Sequence, residues 1–343
     1  MWKIGDLRIE EPVVLGPMSG YTFSSYRDFM MPFGVGLAYT EMISAMGLIH
    51  NQARTDAFIK FRKNGVTGVQ LFGNDPEAMA QGAVKALESN PDIDLLDVNM
   101  GCPVPKVTRN GSGSALMKDP VKCGEIVRAM KHAVDVPITA KIRLGWSSQS
   151  MNYRDVIDEL VSADVDAITV HARTTKENYT GKPHYDMLEG LGGEIPVPLV
   201  VSGNIYAPED AVNAMRMTGA EGVMVARGGV GNPNLITQIN DMIRTGRAGP
   251  NPTVHQQIVW CERLADMMIE DLGEERAMKK IRSIAPKFVI GIQHCHEYRL
   301  SLAHDFSTKE ELMVHLDGID AEVGDERILY YGRAETPFRT DGQ

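Results

Sequence analysis

Between Pro12 and Gly229 the chain repeats one pattern: a short apolar, β-branched run, a turn, then a stretch with apolar residues three and four positions apart. The runs are PVVLGPM from Pro12, LAYTEM from Leu37, VTGVQLFG from Val66, IDLLDVNMG from Ile93, PITAKIRL from Pro137, AITVHAR from Ala167, PLVVSGNI from Pro198 and GVMVARGG from Gly222. Strands apolar on both faces belong to parallel sheets covered by helices, and eight βα units suffice to close a barrel. The pattern predicts an α/β fold, a parallel (β/α)8 TIM barrel, with a doubly wound open sheet as the alternative arrangement of the same units. Helix starts are written into DPEAMAQGAVKALES and APEDAVNAMRMTGA, each with proline in its first turn, and the second stops at Gly219.

After the turn-rich GRAGPNPT near Gly246 the period becomes helical, in HQQIVWCERLADMMIED, EERAMKKIRSIAPKFVIG and TKEELMVHLDGI. The expected division is a barrel over 1–248 and a small all-helical C-terminal domain over 252–335.

Composition narrows the functional classes. Of 343 residues, 43% are hydrophobic and 23% charged, enough to bury a real core. No stretch approaches the roughly 18 consecutive apolar residues of a membrane span, and MWKIGDLRIE lacks the apolar run of a signal peptide, so a cytoplasmic location is expected. A net charge of −10 argues against nucleic-acid binding through an overall basic field. A local basic face remains in EERAMKKIRSIAPKF, where Arg276, Lys279, Lys280, Arg282 and Lys287 cluster; the bland alternative is a solvated helix face beside Glu274 and Glu275. Cys102, Cys123, Cys261 and Cys295 form no CxxC pair, which indicates neither a disulfide framework nor a cysteine zinc site. His294, Cys295 and His296 are consecutive on an expected helix and diverge, so no metal site is expected there.

Polar and reactive residues gather where the strands end: Met18, Glu41, Gln70, Asn99 with Cys102, Lys141, His171 with Arg173, Asn204 and Arg227. In a closed barrel those ends converge on the face that carries active sites. Cys102 sits between Gly101 and Pro103 on a loop rich in glycine and serine, where it reads either as a small buried hydrophobe or as a thiol over the pocket. A thiol with a pKa near 8.5 is mostly protonated at neutral pH and can donate a proton to carbon. Lys141 lies mid-strand among apolar neighbours, where an unpaired ammonium is costly, so it is expected to meet an anion, a cofactor or a substrate. The SGN and ARGG segments end the last two strands, where barrels commonly bind phosphate through backbone amides.

Taken together and in order, DVNMGCP, KVTRNGSGSALM, AKIRLGW, VHART, VSGN and VARG resemble the tRNA-dihydrouridine synthase family, over about Gly16 to Asn232. The helical tail agrees in kind with that family's RNA-binding domain. The resemblance implies an FMN enzyme, reduced by NADPH, that converts a uridine of tRNA to 5,6-dihydrouridine. It implies Cys102 as catalytic acid and flavin contacts from Pro17, Met18, Ser19, Gln70, Lys141 and His171. It further implies phosphate-binding segments at Ser202, Gly203 and Asn204 and at Ala226 and Arg227. Asn99 and Arg173 would lie nearer the target base, and Lys279, Lys280 and Lys287 would meet the RNA. Where the family often has NGD or NGE this chain has SGN, and where it has GR this chain has Ala226 and Arg227; backbone amides can serve a phosphate in both cases. The competing readings are a flavin dehydrogenase of a free pyrimidine and a Schiff-base aldolase using Lys141.

Overall fold

The computed structural model describes residues 1–52, 58–59, 61, 63–293 and 295–329. A hairpin of β1 (Trp2–Ile4) and β2 (Leu7–Ile9) precedes the barrel strands. These are β3 (Val13–Leu15), β4 (Leu37–Tyr39) with its continuation β5 (Ile43–Ser44), β6 (Thr67–Phe72), β7 (Leu95–Asn99), β8 (Ile138–Arg143), β9 (Ala167–His171), β10 (Leu199–Ser202) and β11 (Gly222–Val225). All pair in parallel, β11 returns to β3, and β4 pairs with both β3 and β6, so eight strand positions close into the expected (β/α)8 barrel.

The strands are shorter than their apolar runs, and in two of them the cause is local. PVVLGPM leaves the sheet after Leu15: the Gly16 amide still donates to the Val225 carbonyl, and Pro17 then has no N–H to offer. LAYTEM is interrupted because the Thr40 hydroxyl donates to the Glu41 carbonyl while accepting from the Gln70 amide, a local alternative to the ladder. The helix ends carry the residues that their positions call for. Asp75 accepts from the Ala78 amide at the start of Pro76–Ser89, and Gly219 ends Pro208–Thr218 in the left-handed conformation, φ 71°.

Alternation along the strands divides the barrel interior into two zones. At the amino ends Val14, Leu37, Tyr39, Leu95, Ala167, Val200 and Met224 form an apolar cluster, closed from below by Trp2, Ile4 and Ile9 of the hairpin. Each such fully buried aliphatic side chain stabilises by roughly 1.5–3 kcal/mol. The hairpin escaped the sequence reading because three-residue strands are too short to show a period. Two residues further along the same rows, the interior turns polar: Gln70, Asp97, Asn99, Lys141, Arg143, His171 and Ser202 point toward the carboxyl-end mouth.

Beyond the barrel lie the helices Val254–Leu272, Glu274–Ile281, Ala285–Phe288, His296–His304 and Lys309–Val323. EERAMKKIRSIAPKFVIG reads as one helix but breaks after Ile281, and a new turn starts with Pro286 in its first positions. One hydrophobic cluster runs through both regions. Phe29 meets Phe288 at 6.3 Å between ring centres and Phe33 meets Trp260 edge-on at 5.2 Å. Residues 330–335 of the expected helical domain, and His294, lie outside the described residues. Among the described residues no helix is long and apolar enough to cross a membrane, and no group of three or more His, Cys, Asp or Glu gathers as for a metal ion.

Candidate active site

Cys102 follows β7 on a loop held by backbone and side-chain bonds. Its carbonyl accepts from the Ser114 amide at 3.0 Å, and its amide donates to Asn99 Oδ1 at 2.9 Å. The same Asn99 oxygen accepts from the Gly101 amide at 3.2 Å, while Asn99 Nδ2 donates to Gln70 Oε1 at 2.7 Å. Arg143 Nε donates to the Gly101 carbonyl at 2.6 Å. Cys102 is half-buried, and burial pushes its thiol above the ordinary range, against the pull of the Val104 backbone, Arg143 and Lys141. The thiol is therefore protonated at neutral pH, the state a proton donor needs.

The mouth is strongly cationic. Burial, then the neighbouring Arg143 charge, lowers the Lys141 ammonium to about 8, with Asp97 and Cys102 acting in the opposite direction. The Lys141 ammonium makes no hydrogen bond among the described residues, although the backbone carbonyl of Lys141 accepts from the Met100 amide. His171 is held well below its ordinary pKa, first by burial and then by Arg143, Lys141, Arg173 and Arg227, so it is neutral; its Nδ1 lies 3.1 Å from the Ser202 hydroxyl. Asp97, buried below them, is raised to about 6 by burial despite hydrogen bonds from Thr139 and Gln70 and the charge of Lys141.

Arg173, expected near a target base, is fully buried beside His171. Its Nε donates to the Thr180 carbonyl at 2.9 Å and its Nη2 to that of Gly181 at 2.6 Å, which shapes the loop after β9. What that loop presents to the mouth is Tyr179, 48% exposed, with the guanidinium groups of Arg227 at 4.8 Å and Arg143 at 5.3 Å from its ring centre and His171 edge-on at 6.1 Å. Sequence reading missed Tyr179 because it lies six residues beyond the end of the AITVHAR run, and missed Arg143 and Asp97 because they look like interruptions of apolar strands.

The ends of β10 and β11 supply anion-binding groups. Gly203 has φ 141° and Asn204 φ 49°, and Tyr185 donates to the Gly203 carbonyl at 2.6 Å. Among the described residues no acceptor is found for the backbone amides of Asn204 and Ala226. A Cβ at Gly228 would sit 1.9 Å from the Ile205 carbonyl oxygen, so the two loops touch only because that side chain is missing. Free amides from two adjacent strand ends fit a phosphate. Pro17, Met18 and Ser19 form the turn after β3, where the Met18 amide donates to the Thr22 hydroxyl at 2.9 Å.

The basic residues of the tail do not form one exposed stripe. Lys279 is exposed and paired with Glu275 at 2.6 Å, whereas Lys280, the next position and about 100° around the helix, turns toward Glu41 at the barrel rim. Arg282 donates to the Phe306 carbonyl and to Ser307 Oγ at 3.2 Å, and Lys287 is partly buried, which lowers its pKa together with the Arg299 charge. Arg276 is exposed.

Comparison with known proteins agrees with this geometry. The chain is 32% identical over 292 residues to a protein described as a probable tRNA-dihydrouridine synthase from Treponema pallidum (strain Nichols), covering 82% of this chain and 85% of that one. It is 30% identical over 317 residues to another so described from Rickettsia conorii (strain ATCC VR-613 / Malish 7), covering 91% and 95%. Among solved structures, histamine dehydrogenase from Rhizobium sp. 4-9 superposes with a TM-score of 0.51 at 14% identity, covering 78% of this chain but half of that longer one, a likeness of fold. The model of the family described as "Dihydrouridine synthase (Dus)" matches residues 14–323, and the chain belongs to that family.

Proposed function

We propose that this protein is a tRNA-dihydrouridine synthase that binds FMN, is reduced by NADPH, and saturates the C5=C6 bond of a tRNA uridine. One observation carries the reading: a protonated thiol, Cys102, stands at a cationic barrel mouth, across from two strand ends whose amides are free for a phosphate. Free-pyrimidine reduction and Schiff-base chemistry at Lys141 would not call for the family's RNA-binding helices.

The residues suited to hold FMN are Asn204 and Ala226 through their amides, with Ser202, Gly203 and Arg227 beside them. Pro17, Met18, Ser19, Gln70, Lys141 and His171 surround the space above the polar interior. When bound, the cofactor supplies hydride to C6 of uracil. Cys102 holds the proton that C5 then needs, and Lys141 and Arg143 stabilise the negative charge that develops toward O4 in a site with little water. Asn99 positions the Cys102 loop. Tyr179, flat and half exposed between two guanidinium groups, offers a stacking surface for a base turned out of the RNA. The RNA would rest on the helical region, where Lys279, Lys280 and Lys287 lie, with Arg276 exposed beside them.

The test is single-turnover reduction of unmodified tRNA by the FMN-loaded protein. Cys102→Ala is expected to bind FMN and to accept electrons from NADPH while forming dihydrouridine at least about 10²-fold more slowly. Full product yield would overturn the acid assignment, and protein that takes up no FMN would overturn the cofactor.

A further inference from the structure

The polar interior contains a chain of hydrogen bonds with one possible direction. Asp97 Oδ1 accepts from the Thr139 hydroxyl at 2.6 Å, and Tyr39 lies 3.2 Å behind that hydroxyl. Asp97 Oδ2 accepts from Gln70 Nε2 at 2.7 Å. An ionised carboxylate can only accept, so Gln70 must face it with its NH2 and must turn its carbonyl oxygen to Asn99. Asn99 in turn donates through Nδ2 to Gln70, which leaves its own oxygen for the amides of Gly101 and Cys102. Every member is buried, so none can satisfy itself with bulk water.

We propose that Asp97 is a positioning residue: its carboxylate sets the orientation of the Gln70 and Asn99 side-chain amides and thereby anchors the loop that carries Cys102. The proposal adds a role for a strand residue that touches neither the thiol nor its loop. It borrows from the proposed function only the importance of Cys102, and its geometry stands without flavin or RNA. Asn99 Oδ1 is the only side-chain acceptor among the described residues for the Cys102 amide, so reversing Asn99 would bring an NH2 against two N–H donors. Asparagine at position 97 permits that reversal, because the Thr139 hydroxyl can either donate to its oxygen or accept from its NH2, so the direction is no longer fixed. In the orientation that accepts from Thr139 it would offer an NH2 to Gln70, and Gln70 would present its oxygen there and its NH2 to Asn99. The mismatch would arrive at Cys102 three side chains away.

The experiment measures the rate at which iodoacetamide alkylates Cys102 in the full chain as purified, by peptide mass spectrometry, with half-buried Cys295 as internal reference. Asp97→Asn is expected to raise the Cys102 rate about tenfold, the loss of roughly one hydrogen bond to the loop, with Cys295 unchanged. Asp97→Asn combined with Gln70→Glu restores an acceptor facing Asn99 and is expected to return the rate to within about twofold of the parent. Gln70→Glu alone also keeps an acceptor toward Asn99, because the two carboxyls can share one proton, and is expected to leave the rate unchanged. A Cys102 rate in Asp97→Asn equal to the parent's, or raised equally in all three variants, would overturn the proposal. If Asp97→Asn does not fold, a folded double variant with parental reactivity supports the proposal and an unfolded one overturns it. Because no product is measured, loss of this inference is distinguishable from loss of the enzymatic reading.

Discussion

Lys280, on the helix Glu274–Ile281, holds its ammonium 4.0 Å from Oε1 of Glu41 at the barrel rim and 3.7 Å from the centre of the Phe23 ring. That Glu41 oxygen is buried and has no hydrogen-bond donor among the described residues, while Oε2 accepts from the Gly20 amide at 3.0 Å. Burial lowers the Lys280 pKa, and Glu41 and Asp271 act against it. The helical region is thus tied to the barrel at the mouth by a cation that the barrel itself requires.

Truncating Lys280 removes the nearest cation from a buried carboxylate, whereas Lys279 pairs with Glu275 in full solvent. Lys280→Met is expected to cost about 1–3 kcal/mol and Lys279→Met to leave the unfolding midpoint nearly unchanged. Denaturant unfolding of the two variants side by side decides it: equal midpoints would mean that Lys280 does no more than its neighbour.

Gly113 supports Cys102 from the opposite side of its loop. It has φ 61°, and a Cβ there would lie 2.8 Å from the Cys102 carbonyl oxygen and 2.9 Å from a Val107 methyl. Gly113→Ala combines a left-handed alanine with a backbone clash and is expected to lower stability by about 1–3 kcal/mol. Because the carbonyl that must move belongs to Cys102, the variant should also lose dihydrouridine formation beyond what its lowered stability explains. A folded Gly113→Ala protein with parental turnover would show that the loop tolerates the shift.

How far these features could be read in advance depends on their period. Every barrel strand except the continuation β5 lies inside an apolar run, and Asp75 and Gly219 bound helices as their residue types dictate. Strand-end residues such as Gln70, Lys141 and His171 converge because closure forces them to, so their grouping followed from counting strands. Direction did not follow. Nothing in KK at 279 and 280 says which lysine faces solvent, since the answer depends on what the helix packs against. Arg173 reads in HAR as a strand-end residue near a target base, and that its guanidinium closes the carbonyls of a loop depends on a path only the fold defines. Asp97 was hidden because a single acid inside IDLLDVN reads as noise until its donors, Thr139 and Gln70, arrive from adjacent strands.

The loop bearing Tyr179 has its own electrostatic lock, and its pH response has a definite sign. Glu177 accepts from the Thr174 amide at 2.6 Å and the Thr174 hydroxyl at 2.8 Å, and its other oxygen lies 2.6 Å from His184 Nε2. Desolvation works to raise its carboxyl, but hydrogen bonds from His184 and from Thr174 outweigh it and hold the group at about 2 instead of 4.5. A carboxylate whose folded pKa lies below its unfolded one stabilises the folded loop at pH above 4.5 and ceases to do so as pH falls toward 2. The group is partly exposed, so solvent screens the gain and the effect stays local. Hydrogen exchange of amides 174–184, referred to the barrel strands, is expected to accelerate as pH drops from about 5 to about 3. Glu177→Gln should show the accelerated exchange already at pH 6 and lose most of the pH dependence, with dihydrouridine formation reduced severalfold because Tyr179 is no longer held over the mouth. Identical exchange in the parent and the variant at every pH would show that Arg173 and Arg143 alone hold the loop.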